Sequence, residues 1–216
     1  MLNLTKESMQ HYVQFLNIAE KLKCEMRHSW LSSGRQESVA EHSWRMGLMV
    51  MTFFPYLSQK VDLEKCLKMA ILHDLAEAEV GDIPVFETQT LEAKQSKFIA
   101  EKMAMEKICA LRDAPLGQEL FTLWEEYESK ESYEAKFVNA LDKIEVFLQH
   151  VEAPLSTWTE LEKDMLFQEK WLRAHCRFEP CLLELAEEII NQGIQKVKDA
   201  GEDISKIAER AAALVT

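Results

Sequence analysis

Apolar side chains recur every three to four residues along most of this chain, the spacing that gives an α-helix one buried face. From about Met9 to Leu22, the stripe Tyr12, Val13, Leu16 and Ala19 predicts a first helix with its apolar side toward a core. The periodicity stops between Lys23 and Glu37. There CEMRHSWLSSGRQE holds two arginines, a tryptophan and a glycine, and reads as a loop able to carry function. Ser38 then precedes Glu41 by three residues, an S-x-x-E capping box, and Met46, Met49, Val50 and Phe53 carry a second helix as far as Pro55. His42 falls in its first turns.

Asp62 can cap a third helix, with Leu63, Leu67, Ala70, Ile71, Leu75 and Ala78 on the apolar face and Gly81 as its end. His73, Asp74 and Glu77 ride on that one helix. The following DIPVFETQT is a loop, because Pro84 forces Ile83 out of helical dihedrals. Further helical pattern runs near 91–111, along a segment at 116–130 beyond Pro115, and at 133–151 with Phe137, Leu141, Ile144 and Leu148 inward. Past Pro154, amphipathic stretches near 159–175, 180–198 and 203–215 complete the chain. The fold class expected is all-α.

Composition agrees with that class. Only 6 glycines and 5 prolines occur in 216 residues, and 47% hydrophobic content suffices for one compact multi-helix domain. A net charge of −12 disfavours nucleic acid and anionic membranes as partners, and a phosphate-bearing substrate then needs a local cation or a few placed arginines. The five cysteines form no CxxC pair, which points to a reduced, cytoplasmic chain. No apolar run approaches the ~20 residues that span a bilayer, and the first ten residues do not have the pattern of a secretory signal.

The candidate chemistry centres on His73 and Asp74. As neighbours on a helix they point about 100° apart, yet both reach one ion placed above their shared edge. Glu77 falls on the same side. Three ionisable groups beside Ile71, Leu72 and Leu75 are costly unless something binds them, and a divalent metal is the economical answer. Imidazole with carboxylate suits Mn, Fe, Co, Ni or Zn better than an all-oxygen Mg or Ca site. His42 and Asp142 each have an ordinary explanation alone; what distinguishes them is the order of H, then HD with E, then a GD loop, then D followed by Lys143.

The stretches SVAEHSWRM, ILHDLAEAEVGDIP, LWEEYES and EAKFVNALDKIE resemble the HD-domain 5'-deoxynucleotidases, over roughly residues 10 to 152. The resemblance implies one divalent transition metal on His42, His73, Asp74 and Asp142, a small-molecule nucleotide as substrate, and a homodimer. It divides the chain into an HD phosphohydrolase core at 1–152 and a helical extension at 153–216 packed on the same domain. Water activated by the ion would attack phosphorus and release a nucleoside. Glu77 is then the candidate for general acid or base catalysis. Arg27 would orient the phosphate, while Asp82 and the Ile83, Pro84 and Val85 backbone would hold the sugar and select deoxyribose. His28 and Trp30 are both candidates to meet the nucleotide.

No histidine lies between residues 75 and 141, which argues for one metal rather than two. A dNTP triphosphohydrolase is compatible with the same residues. A non-catalytic metal or nucleotide sensor is a further alternative, opposed by the full set of ligand positions together with Glu77 and Asp82.

Overall fold

Seven of the described helices in this protein begin where a short polar side chain can accept a backbone N–H that the helix leaves free. Thr5, Ser38, Asp62, Thr90, Ser132, Thr159 and Asp203 all do so. The computed structural model describes residues 5–84, 88 and 90–214. In chain order these form α1 (Lys6–Glu20), β1 (Met26–Trp30), β2 (Gln36–Ser38), α2 (Val39–Phe53), α3 (Leu63–Leu72), α4 (Glu77–Val80), α5 (Leu91–Cys109), α6 (Ala114–Ser129) and α7 (Tyr133–Glu152), followed by α8 (Glu160–Met165), α9 (Arg173–Cys176), α10 (Pro180–Asp199) and α11 (Ile204–Ala213). The fold is all-α apart from the β1–β2 hairpin. No helix among the described residues is long and apolar enough to cross a membrane.

Helix α7 is the axis of the packing. Its Phe137, Val138, Leu141 and Ile144 meet Met46 and Val50 of α2, Met69 and Ala70 of α3, and Leu182, Ile189 and Ile190 of α10 in one apolar cluster. A second cluster gathers Val39, Leu72, Leu75, Met105, Ile108 and Trp124. His42 lies along the chain between Val39 of one cluster and Met46 of the other, and His73 between Ala70 and Leu75. The polar centre therefore sits at the seam of two apolar bodies.

Four expectations from periodicity are corrected. Helix α1 forms, but Val13 is 56% and Leu16 61% exposed, while Phe15, Ile18 and Ala19 face the second cluster. Apolar residues lie on two sides of α1, and spacing alone does not say which is buried. The stretch between Lys23 and Glu37 is a hairpin, with Met26 opposite Ser38 and Trp30 opposite Gln36. Its strands are short, and the charged MRHSW hides the alternation that would mark them.

The third helix is interrupted. α3 ends at Leu72, and Leu75, Glu77, Ala78 and Glu79 each donate a backbone N–H to the carbonyl three residues back, so the chain tightens into 3₁₀-like turns before α4. No glycine or proline marks this break. The predicted helix at 159–175 likewise divides into α8 and α9, with similar turns through Phe167, Gln168 and Trp171 between them.

Helices α5 and α6 approach each other closely at Gly117, where an added Cβ would stand 2.4 Å from the Cys109 carbonyl oxygen. Elsewhere in a helix, glycine to alanine gains up to about 1 kcal/mol of propensity. Here Gly117→Ala should instead lower stability by about 1–3 kcal/mol, which thermal unfolding reads as a Tm lower by about 2–10 °C. A higher Tm would show that the two helices do not make this contact.

Candidate functional site

Local structure brings ligand atoms of His42, His73 and Asp142 within 4.8 Å of one another, with Asp74 beside the two histidines. The Ser38 hydroxyl accepts the Glu41 N–H at 3.3 Å and the Glu41 carboxylate accepts the Ser38 N–H at 2.9 Å, which sets the start of α2 and the direction of His42 one turn later. Arg35 of the hairpin grips Glu41 with two bonds of 2.7 and 3.0 Å. At the end of α3, His73 closes the helix, and in the 3₁₀-like turns after it residues three apart eclipse. Asp74 and Glu77 are thereby stacked on one side, closer than in a regular α-helix. Asp142 comes from the middle of α7.

Nε2 of His42 lies 3.3 Å from Nε2 of His73 and 3.2 Å from Asp142 Oδ1. Asp74 Oδ2 is 3.1 Å from His73 Nε2 and 3.9 Å from His42 Nε2. The other nitrogen of each ring is already committed: Nδ1 of His42 meets Glu145 at 2.6 Å, and Nδ1 of His73 meets the Ala70 carbonyl at 3.0 Å. A carboxylate and a carbonyl can only accept, so both Nδ1 atoms carry the hydrogen. With Nδ1 of each ring so occupied, both Nε2 atoms and two carboxylates are left facing one another at the seam, a donor set that fits a divalent transition metal once the ion displaces the second proton of His42.

Charge leads to the same conclusion. Burial and Arg27 press His42 toward neutrality, but Glu145 and Asp142 outweigh them and raise its pKa to about 9. Burial opposes ionisation of Asp74 and Asp142, yet His73 and His42 beside the first, and Lys143 and His42 beside the second, hold both below the usual carboxylate range. The surplus negative charge that draws a proton here is what a cation would neutralise.

A second buried group, Glu37, His42 and Glu145, also has ligand atoms close enough to share an ion. Its carboxylates already have counter-charges, with Arg27 Nε 3.5 Å from Glu37 and Arg45 Nη1 3.7 Å from Glu145. Two guanidinium groups repel a cation from that side, so these carboxylates belong behind His42 rather than on a metal. Glu145 is fully buried and lies one turn beyond Asp142. That i, i+3 spacing was its available signal in the sequence. Tyr127, whose hydroxyl donates to Asp142 Oδ2 at 3.3 Å and whose ring stands edge-on to His73, had its signal in the LWEEYES stretch, which marks the family but not this role.

Asp74 and Asp142 open onto a cavity of about 500 Å³, with the two buried histidines beside them. Arg27, His28, Glu77, Asp82, Ile83 and Pro84 line it together with Asp74 and Asp142. Among the described residues Trp30 stands outside this lining; its carbonyl accepts the Gln149 amide at 2.7 Å, tying β1 to α7. Val85 lies outside the described residues. Arg27 Nη1 is 3.3 Å from Asp74 Oδ2. Burial, with Asp74 and Asp82 nearby, raises Glu77 to about 10, while Lys97 approaches it at 3.7 Å. Gly81 has φ +81°, a conformation open to glycine, and the Asp82 N–H that follows donates to Glu25 at 2.9 Å, which fixes the GDIP turn.

The HD domain family pattern matches residues 19–178. A zebrafish protein named 5'-deoxynucleotidase HDDC2 is 34% identical over 198 residues, covering 90% of this chain and 94% of its own. Its human counterpart is 38% identical over 142 residues, 65% of this chain and 67% of that one. Among solved structures, a conserved hypothetical protein from Pyrococcus furiosus is 31% identical with a TM-score of 0.61, covering 82% of this chain and 98% of that one. A protein from Magnetospirillum magnetotacticum named a predicted metal-dependent phosphohydrolase shares the fold, with a TM-score of 0.66 at 24% identity over 87% of this chain and 98% of its own. The match over most of the chain, on a fold that brings the H, HD and D residues together, establishes that this chain belongs to the HD domain family.

Proposed function

We propose that this protein is a metal-dependent phosphohydrolase that removes the phosphate of deoxyribonucleoside 5'-monophosphates. The observation that carries it is the convergence of two imidazole Nε2 atoms, 3.3 Å apart, and two aspartates beside a cavity that Arg27, Glu77 and Asp82 also line. The relatives named 5'-deoxynucleotidases support the choice of substrate.

In this reading His42, His73, Asp74 and Asp142 hold one divalent ion, of Mn, Fe, Co, Ni or Zn. When bound, such an ion acidifies water and offsets negative charge on phosphoryl oxygens. Arg27, anchored by Asp74 and Glu37, presents its guanidinium to the phosphate. Burial first, then Asp74 and Asp82, raise Glu77 so that it holds a proton, which it can give to the departing nucleoside oxygen. Asp82 and the Ile83 and Pro84 backbone hold the sugar, and His28 lies beyond them. Glu145 keeps the proton of His42 on Nδ1 and so keeps Nε2 free for the ion.

Lys94, Lys97, Lys143 and Lys170 also line the cavity, which favours dNTP hydrolysis as the second reading. The net charge of −12 supports a partner list without nucleic acid or anionic membrane, and the free thiols support a cytoplasmic setting. A homodimer belongs to the same reading, supported by Trp44, Leu48 and Met51, which lie exposed along one face of α2.

Phosphate release from dAMP should stop on chelation and return with Mn or Co, and His73→Ala or Asp142→Ala should lose both bound metal and turnover. Activity that survives chelation would overturn the proposal, and release from dATP alone would favour the second reading. Glu77→Gln should lower kcat by about 10²–10⁴-fold with metal still bound, measured by metal content and steady-state kinetics side by side. Glu145→Gln should weaken metal affinity by about 10–100-fold; titration with the metal alone reads this without reference to activity.

A further inference from the structure

Five residues of α7 line the cavity: Asp142, Lys143, Val146, Phe147 and His150. At 100° per residue they fall within an arc of about 140°, so one face of the helix forms the cavity floor. From Asp142 to His150 that floor runs about 12 Å at 1.5 Å per residue. It begins at the candidate metal ligand. It ends at a polar knot, where Glu162 Oε1 lies 2.7 Å from His150 Nε2 and 3.3 Å from His28 Nε2. Between the two polar ends the floor is Val146 and Phe147.

The C-terminal segment lines the same cavity. Met165 ends α8, and Trp171 sits in the turns that separate α8 from α9. Trp171 is half-buried and held: its Nε1–H donates to Gln168 Oε1 at 2.6 Å, and Gln168, itself buried, donates to the Ala211 carbonyl at 2.8 Å. Lys170 Nζ stands 4.8 Å from the Trp171 ring centre, beside the same opening. A substrate with its phosphate at Asp142 and Arg27 has this face of α7 beside it, because all of these residues line the same cavity.

We infer that the nucleobase occupies the apolar slot between Val146 and Phe147 on α7 and Met165 and Trp171 opposite, so that the C-terminal segment completes the substrate site. This rests on the nucleotide reading above. The slot offers stacking and dispersion, which every base can accept, and leaves discrimination between bases to the polar knot at its end. Residues 153–216 are then part of the substrate-recognition apparatus as well as of the core.

The test separates the two halves of the substrate. Binding of deoxyadenosine and of inorganic phosphate to the Mn-loaded protein is measured by calorimetry, alongside phosphate release from dAMP. Trp171→Ala, and Val146→Trp, which fills the slot from α7, should each weaken deoxyadenosine about tenfold or more, the range of a lost base stack. Phosphate affinity should stay within twofold. The two variants act from opposite walls, so the slot is read even if one fails to fold. Unchanged deoxyadenosine affinity in the folded variants, or a parallel loss of phosphate, would overturn the inference. Wild-type protein that releases phosphate from dAMP without measurable affinity for deoxyadenosine would overturn the slot and leave the phosphohydrolase reading standing. Protein that binds deoxyadenosine through these residues yet releases no phosphate would do the reverse.

Discussion

The rest of this structure depends on two imidazole nitrogens that face each other 3.3 Å apart at the seam of two apolar clusters. Such an approach is unfavourable for two lone pairs and holds only with a positive charge between or beside them. The surroundings are arranged for that condition. Each ring gives its other N–H to a fixed acceptor, and each flanking aspartate is held ionised by cationic neighbours. Burying this many charges costs several kcal/mol per ion unless they compensate one another. The guanidinium groups of Arg27 and Arg45 and the Lys143 ammonium at 2.8 Å from Asp142 supply part of that compensation within the fold.

Compensation of this kind explains local features that propensity does not. The tightened turns after Leu72 bring Asp74 and Glu77 into line, which a regular helix would leave rotated apart. The hairpin carries Arg27 to Asp74 and Glu37, and it is fastened beside its turn, by Arg35 to Glu41 and by the Trp30 carbonyl to Gln149. Neither feature has a hydrophobic period of its own. Each is determined by charges that meet only once the chain is folded.

The same distinction accounts for what could be read from the sequence. The start of α2 was legible because a capping box is a local device, complete within four residues. The body of α7 was legible because its apolar stripe is long and regular. His42, His73, Asp74 and Asp142 stood out through their order, which their spacing on three elements turns into proximity. The partner of His42 lies 103 residues away along the chain, and Glu145 is recognisable only by its place one turn beyond Asp142. The exposed side of α1 and the divided helix at 159–175 were misread for one reason: periodicity reports that an apolar face exists, and tertiary contacts decide which face is covered and where a helix yields.

Helix α7 joins these levels. Its 3.6-residue repeat places Asp142 and Lys143 at the metal end, Glu145 behind His42, Val146 and Phe147 along the cavity, and His150 at the far end, while Leu141 and Ile144 point into the core. The distance between metal and polar knot is thus fixed by helical rise, and its rigidity by packing against α2, α3 and α10. A change on the core face of α7 would shift every one of these functions together. A change on the cavity face would alter one of them and leave the spacing of the others intact. Substrate reach in this protein is set by the same hydrophobic contacts that make α7 a helix.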